Sequence, residues 1–153
     1  MQIVVAETPE HIARTRELFQ EYWESFGFTP CFQNFDRELA ELPGKYASPR
    51  GRLGLAVVAD GEAGCVAIRP IDEERCELKR LYVRPGHRGK GVGLKLLMWA
   101  IAAALSCGYK EMFADTMPVM ERALDMYDRI GFERIDPYGD EPTEGAIYLR
   151  LRL

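Results

Sequence analysis

Between Lys79 and Lys95 the chain carries six basic side chains (Lys79, Arg80, Arg84, Arg88, Lys90 and Lys95) and no acid. Three glycines alternate through the middle of that stretch, in Arg88-Gly89-Lys90-Gly91-Val92-Gly93-Leu94. Pro85 and Gly86 end the strand-like run before it, and a long apolar helical pattern follows. Glycine lets the backbone take positive φ and approach a ligand with no Cβ in the way. The start of the following helix offers unpaired N–H groups and the positive end of its dipole. Arg88 and Lys90 add charge, and an arginine fork can grip a phosphate through two parallel hydrogen bonds. These residue types in this order predict a local anion site for a phosphate-bearing ligand.

Two familiar phosphate loops fit poorly. A P-loop needs G-x-x-x-x-G-K-[ST], and Gly86-His87-Arg88-Gly89-Lys90-Gly91 fails both the spacing and the hydroxyl that would hold magnesium. A dinucleotide fingerprint needs G-x-G-x-x-G directly after a strand, whereas these glycines alternate as G-x-G-x-G behind a basic run. Asp115 lies at a suitable distance downstream to meet a ribose, so dinucleotide binding stays open as a lesser alternative. The extra positive charge favours a ligand with a pyrophosphate and one further phosphate.

Composition narrows the classes further. The chain has 153 residues, 47% hydrophobic, enough for one domain with a sizeable core. Of 20 Lys and Arg, six lie in the basic stretch, which leaves 14 against 24 acids elsewhere. An acidic body with one basic segment argues against a surface that grips nucleic acid. The longest apolar run, in Leu96–Leu105, is about half of a membrane span. Met1–Val5 shows no secretory n-region, and the four cysteines have no C-x-x-C pair or zinc-like spacing. Free thiols in a cytoplasmic protein without a metal are the expectation. Cys31 with His11 as base sits in no nucleophile motif.

The elements that must hold the loop are legible in outline. Met1–Ala6 reads as a strand, followed by a helix capped by Thr8, with Pro9 in its first turn and Gly27 at its end. A short helix is expected around Asp36–Leu42, stopped by Pro43-Gly44. Asp60-Gly61 marks a hairpin between Arg52–Ala59 and Glu62–Pro70, and Arg75–Val83 is a third β-rich run. Gly91–Cys107 is apolar nearly all round and predicts a deeply buried helix. Lys110–Asp115, Pro118–Ile130 and Ala146–Leu153 read as strand, helix and strand. The fold class expected is a single α+β domain, residues 1–153, with a mostly antiparallel mixed sheet flanked by helices.

The segment Arg88-Gly89-Lys90-Gly91-Val92-Gly93 resembles the R/Q-x-x-G-x-G/A signature of the GNAT superfamily of acyl-CoA-dependent N-acetyltransferases. The resemblance extends upstream through Glu77–Pro85. Downstream, Ala123-Leu124-Asp125-Met126-Tyr127-Asp128-Arg129-Ile130-Gly131-Phe132 looks like the family's A-x-x-x-Y-x-x-x-G-F element. The two elements and what lies between them cover about 60 residues in the family order.

The resemblance implies acetyl-CoA as co-substrate, with its pyrophosphate on the amides of Arg88, Gly89, Lys90, Gly91, Val92 and Gly93. It implies that the pantetheine arm runs beside Leu81, Tyr82 and Val83, and that the sheet splays near Val83. Strict alternation puts Glu77, Lys79, Leu81 and Val83 on one face and Cys76, Leu78, Arg80 and Tyr82 on the other. Tyr127 is the implied proton donor to the CoA sulfur, although helical spacing alone reads it as a core tyrosine beside Met120, Ala123 and Leu124. Glu77 is the candidate base, direct or through water, set against a plain salt bridge to Lys79 or a cross-strand arginine. A backbone N–H near Leu81 would stabilise the oxyanion.

The resemblance also implies an acceptor pocket shaped by the aromatic-rich Trp23–Phe35 and the loop Asp136–Glu144, whose four acids either attract a small-molecule amine or form a plain solvated loop. Protein N-termini and lysines remain open as acceptors. The expected activity is acetyl transfer to a primary amine by direct attack. The competing class is a module of the same fold that binds acyl-CoA as a sensor without turnover. Homodimers are frequent in the family, and nothing in these residues fixes the oligomeric state.

Overall fold

The computed structural model describes residues 1–27, 34–139 and 144–153. A seven-stranded sheet in the order β1-β2-β3-β4-β5-β7-β6 organises the chain. Its strands are β1 (Gln2–Val5), β2 (Arg52–Val58), β3 (Gly61–Pro70), β4 (Arg75–Val83), β5 (Glu111–Thr116), β6 (Glu133–Ile135) and β7 (Ile147–Arg152). Neighbours are antiparallel except β4 and β5, which pair in parallel across the connection that holds helix α3 (Val92–Ser106). The remaining helices are α1 (Pro9–Ser25), α2 (Phe35–Glu41) and α4 (Glu121–Ile130).

Local chemistry sets most boundaries. The Thr8 hydroxyl accepts from the His11 amide at 3.1 Å and caps α1. Gly131, at φ +112°, closes α4 by donating its amide to the carbonyls of Tyr127 and Asp128. Gly54 lets α3 lie close on β2, because a Cβ there would meet the Trp99 ring at 2.6 Å.

Two cores lie on opposite faces of the sheet. One packs Leu96, Leu97, Ala100 and Tyr127 onto Val66, Leu78 and Met112. The other packs Leu18, Phe19 and Trp23 of α1 and Phe35 of α2 onto Leu55, Cys65 and Tyr82.

Four sequence expectations need correction. Helix α3 is not buried all round: Leu94, Met98 and Leu105 are 45%, 48% and 53% exposed, on the side away from the sheet. Helix α4 begins at Glu121 rather than at Pro118, and β6 was not anticipated, being only three residues long. The parallel pairing of β4 with β5 stops at Leu78–Ala114, so the strands part five residues before Val83.

The fourth correction concerns side-chain direction. Cys65 pairs with Tyr82 but Ala67 pairs with Lys79, so one β3 residue, Val66, spans two β4 residues, Arg80 and Leu81. Arg80 occupies left-handed backbone at φ +57°, which costs a non-glycine residue about 1 kcal/mol. The bulge reverses alternation: Leu81 and Val83 join Cys76 and Leu78 in the α3 core, while Arg80 and Tyr82 face α1 and α2. No glycine or proline announces this bulge.

Candidate active site

A cleft of about 890 Å³ opens along the end of β4, between the α3 N-terminus and the start of α4. Eight of the nine cofactor residues expected from the sequence line it: Leu81, Tyr82, Val83, Arg88, Gly89, Gly91, Val92 and Gly93. Lys90 is exposed and lies outside its walls. Met120, Ala123 and Met126 close the opposite side, with Val119 75% exposed at the rim.

The loop has the chemistry of an anion cradle. Gly89 and Gly91 sit at φ +77° and +80°, and the space over them is open. Gly91 is the N-cap of α3 and no side chain caps the helix, so its first-turn amides remain available to a ligand. The first turn of α3 holds no acid. Arg88 donates Nε to the Val83 carbonyl at 2.8 Å and lies 5.8 Å from the Tyr82 ring centroid, which aims it along the cleft.

The basic stretch is less available than its composition suggests. Arg84 pairs with Glu21 at 3.0 Å and donates to the Glu62 carbonyl. Lys79 pairs with Asp115 at 2.8 Å, and Arg80 holds Glu38 through two hydrogen bonds of 2.8 and 3.0 Å. Arg88, Lys90 and Lys95 form no ion pair with any described residue. The basic side chains left for an anion therefore lie in the second half of the stretch.

Where β4 and β5 part, a pocket of about 50 Å³ adjoins the cleft through Tyr22, Leu81, Met120 and Ala123. Its walls include Tyr127, Lys79 and Asp115. Tyr127 is 5% exposed, packs its ring on Phe132 at 5.1 Å, and makes no hydrogen bond to a described residue. Burial, with smaller contributions from Tyr22 and the Asp115 charge, pushes its phenol well above the ordinary value. The phenol is therefore protonated at neutral pH.

Glu77 sits apart from both walls. Its Oε1 accepts from Arg69 Nε at 3.0 Å, and its Oε2 accepts from the Tyr138 hydroxyl at 3.0 Å, with Lys79 Nζ 3.7 Å away. Both salt bridges considered from sequence are thus present. Tyr138, on the acidic loop, packs between Phe113 and Tyr148 at 5.0 and 5.2 Å. Of the two stretches expected to shape the acceptor side, residues 28–33 (with Cys31) and 140–143 lie outside the described residues. Trp23 and Phe35 are core residues with ring centroids 4.3 Å apart.

Two features escaped the sequence reading. Tyr22 lines both the cleft and the pocket, and burial pushes its phenol up to about 12. Its place on the apolar face of α1 gave it no signal beyond that of a core aromatic. Arg80, 6% exposed, lies 4.6 Å from the Trp23 ring centroid and pairs with Glu38, which also accepts from Tyr46 at 2.7 Å. These partners are 42 residues apart in the chain, beyond any local pattern. Asp115, weighed as a ribose contact, is instead paired with Lys79, which removes the main support for a dinucleotide.

Comparison with known proteins agrees with this geometry. The profile of the Acetyltransferase (GNAT) family matches residues 12–132. An uncharacterized N-acetyltransferase of Schizosaccharomyces pombe is 36% identical, over 100% of this chain and 95% of its own. An acetyltransferase structure from Streptococcus agalactiae shares the fold at TM-score 0.82 and 21% identity, covering 99% of this chain and 98% of its own. A GNAT family acetyltransferase from Elizabethkingia anophelis, with acetyl-CoA bound, aligns at TM-score 0.62 and 25% identity over 81% of this chain and 84% of its own. Among the described residues no helix is long and apolar enough to cross a membrane, and no cluster of His, Cys, Asp or Glu is suited to a metal ion. With a family profile over residues 12–132 and a relative 36% identical over the whole of this chain, the chain belongs to the GNAT family of acetyltransferases, acyltransferases whose acyl donor is acetyl-CoA.

Proposed function

We propose that the protein transfers the acetyl group of acetyl-CoA to the primary amine of a small-molecule acceptor by direct attack in a ternary complex. One observation carries this reading: a protonated phenol, Tyr127, with no hydrogen-bond partner among the described residues, stands in a pocket that adjoins the cleft of the glycine loop. A sensor without turnover has no use for such a group.

Acetyl-CoA supplies an activated thioester whose departing thiolate needs a proton. Gly89, Gly91 and the first-turn amides of α3 hold the pyrophosphate, and Arg88 adds a charged contact. The edge of β4 beyond Leu78 has no β5 partner, so it offers main-chain groups of Leu81 to Val83 to the pantetheine arm. An amide near Leu81, at the bulge, stabilises the oxyanion. Tyr127 gives its proton to the sulfur. Glu77, with both oxygens engaged, acts as a positioning residue: it fixes Arg69, Lys79 and Tyr138 on the acceptor side. The free thiols of Cys65, Cys76 and Cys107 support a reducing, cytoplasmic setting.

The test is amine-dependent thiol release from acetyl-CoA across polyamines, aminoglycosides and amino acids. Turnover with at least one of them is expected. Acetyl-CoA binding with no turnover on any amine, protein N-termini and lysines included, would favour the sensor.

A further inference from the structure

Resting on the transferase reading, we infer that Asp115, rather than Glu77, is the group that takes the proton from the attacking amine. The placement of the two carboxylates decides between them. Asp115 lies in the wall of the pocket that holds Tyr127, at the gap where β4 and β5 part. Glu77 lies in neither wall. Register explains the difference. The last parallel pair is Leu78–Ala114, so Glu77 falls inside the paired region and Asp115 just beyond it.

Lys79 makes the assignment workable. Its ammonium bonds Asp115 Oδ1 at 2.8 Å, which fixes the direction of the carboxylate. Other groups bear on the same carboxylate. From β4, Glu77 is 3.7 Å from the Lys79 ammonium, and Arg69 of β3 pairs with that Glu77. Arg80, also of β4, is neutralised by Glu38 of α2. Tyr22 of α1, Tyr127 of α4 and Tyr138 all feel the Asp115 charge, and Tyr148 of β7 is its register partner. Tyr22, Tyr127 and Tyr138 have raised values and stay neutral phenols that do not compete as bases.

The protons balance. As the neutral amine forms its C–N bond to the thioester carbonyl, the nitrogen becomes acidic and passes one proton to Asp115. When the C–S bond breaks, Tyr127 protonates the thiolate. Asp115 then returns its proton through solvent, which also restores Tyr127. Products are the N-acetyl amine and CoA thiol. The acceptor class that follows is an amine whose reacting end is unbranched, because Trp23, Met117 and Met120 crowd a space of about 50 Å³.

The experiment compares Asp115→Asn with Glu77→Gln in thiol release from acetyl-CoA, using the most active amine of the panel, across neutral to alkaline pH. For Asp115→Asn we expect kcat to fall about 100-fold at neutral pH and to keep rising where the wild type has levelled. Acetyl-CoA affinity by calorimetry should be unchanged, which excludes misfolding. Glu77→Gln should lose less than about 10-fold and keep the wild-type profile shape. An Asp115→Asn profile parallel to wild type, or an alkaline profile in Glu77→Gln instead, overturns the assignment while leaving the transferase reading intact. Failure of the wild type with every amine overturns both.

Discussion

Replacing Tyr127 with phenylalanine is expected to lower kcat by about 10²- to 10³-fold while acetyl-CoA binds as before. The hydroxyl is the only atom removed. It makes no hydrogen bond to a described residue, so no buried partner is left unsatisfied and the fold should hold. The ring contact with Phe132 at 5.1 Å survives the change. Because the phenol acts only as the thiolate leaves, kcat and kcat/KM should fall together if that step limits the rate. Steady-state kinetics beside calorimetry make the check. A variant that retains full rate would assign Tyr127 to the core, as its helical spacing beside Ala123 and Leu124 first suggested.

The second large effect is on stability. Glu38→Ala should cost about 3–5 kcal/mol, because it leaves the Arg80 guanidinium buried, on strained backbone, without its carboxylate. Burial alone would push the Glu38 carboxyl up. The charge and hydrogen bonds of Arg80 outweigh it, with help from the Tyr46 hydroxyl and Arg69, and hold it below its ordinary value of 4.5. A lowered folded-state value means stability that is present above about 4.5 and is lost as pH falls below it. Glu38→Gln should remove that part of the acid sensitivity. Denaturant unfolding at neutral and acidic pH measures both. Replacing the pair together with apolar residues should cost less than either single change, since no unpaired charge remains. An equal or greater loss in the double variant would contradict this account of the pair.

The glycine loop was legible in the sequence because its chemistry is local. Alternating glycines, an acid-free flank and a helix start are all contiguous, and eight of nine expected residues line the cleft. Strand limits such as Arg75–Val83 were legible for the same reason. The bulge at Arg80 was not. It is a mismatch between two strands, Cys65–Tyr82 against Ala67–Lys79, and neither strand alone carries it. That one extra residue turned Leu81 and Val83 to the opposite face from Glu77, and with them the expected layout of the site. Pairings between distant charges were hidden likewise, which is why half of the basic stretch looked free for a ligand when Glu21, Glu38 and Asp115 engage it.

The central claim is that the loop 88–93 receives the pyrophosphate of acetyl-CoA. Calorimetric titration of acetyl-CoA into wild type and Gly91→Trp tests it most directly. Gly91 is at φ +80° with open space above it, so an indole there strains the backbone and fills the cradle. The account predicts binding by the wild type and a loss of at least about 100-fold in the variant, equivalent to about 2.7 kcal/mol. Equal affinity in the two proteins, or no binding by the wild type, would contradict it.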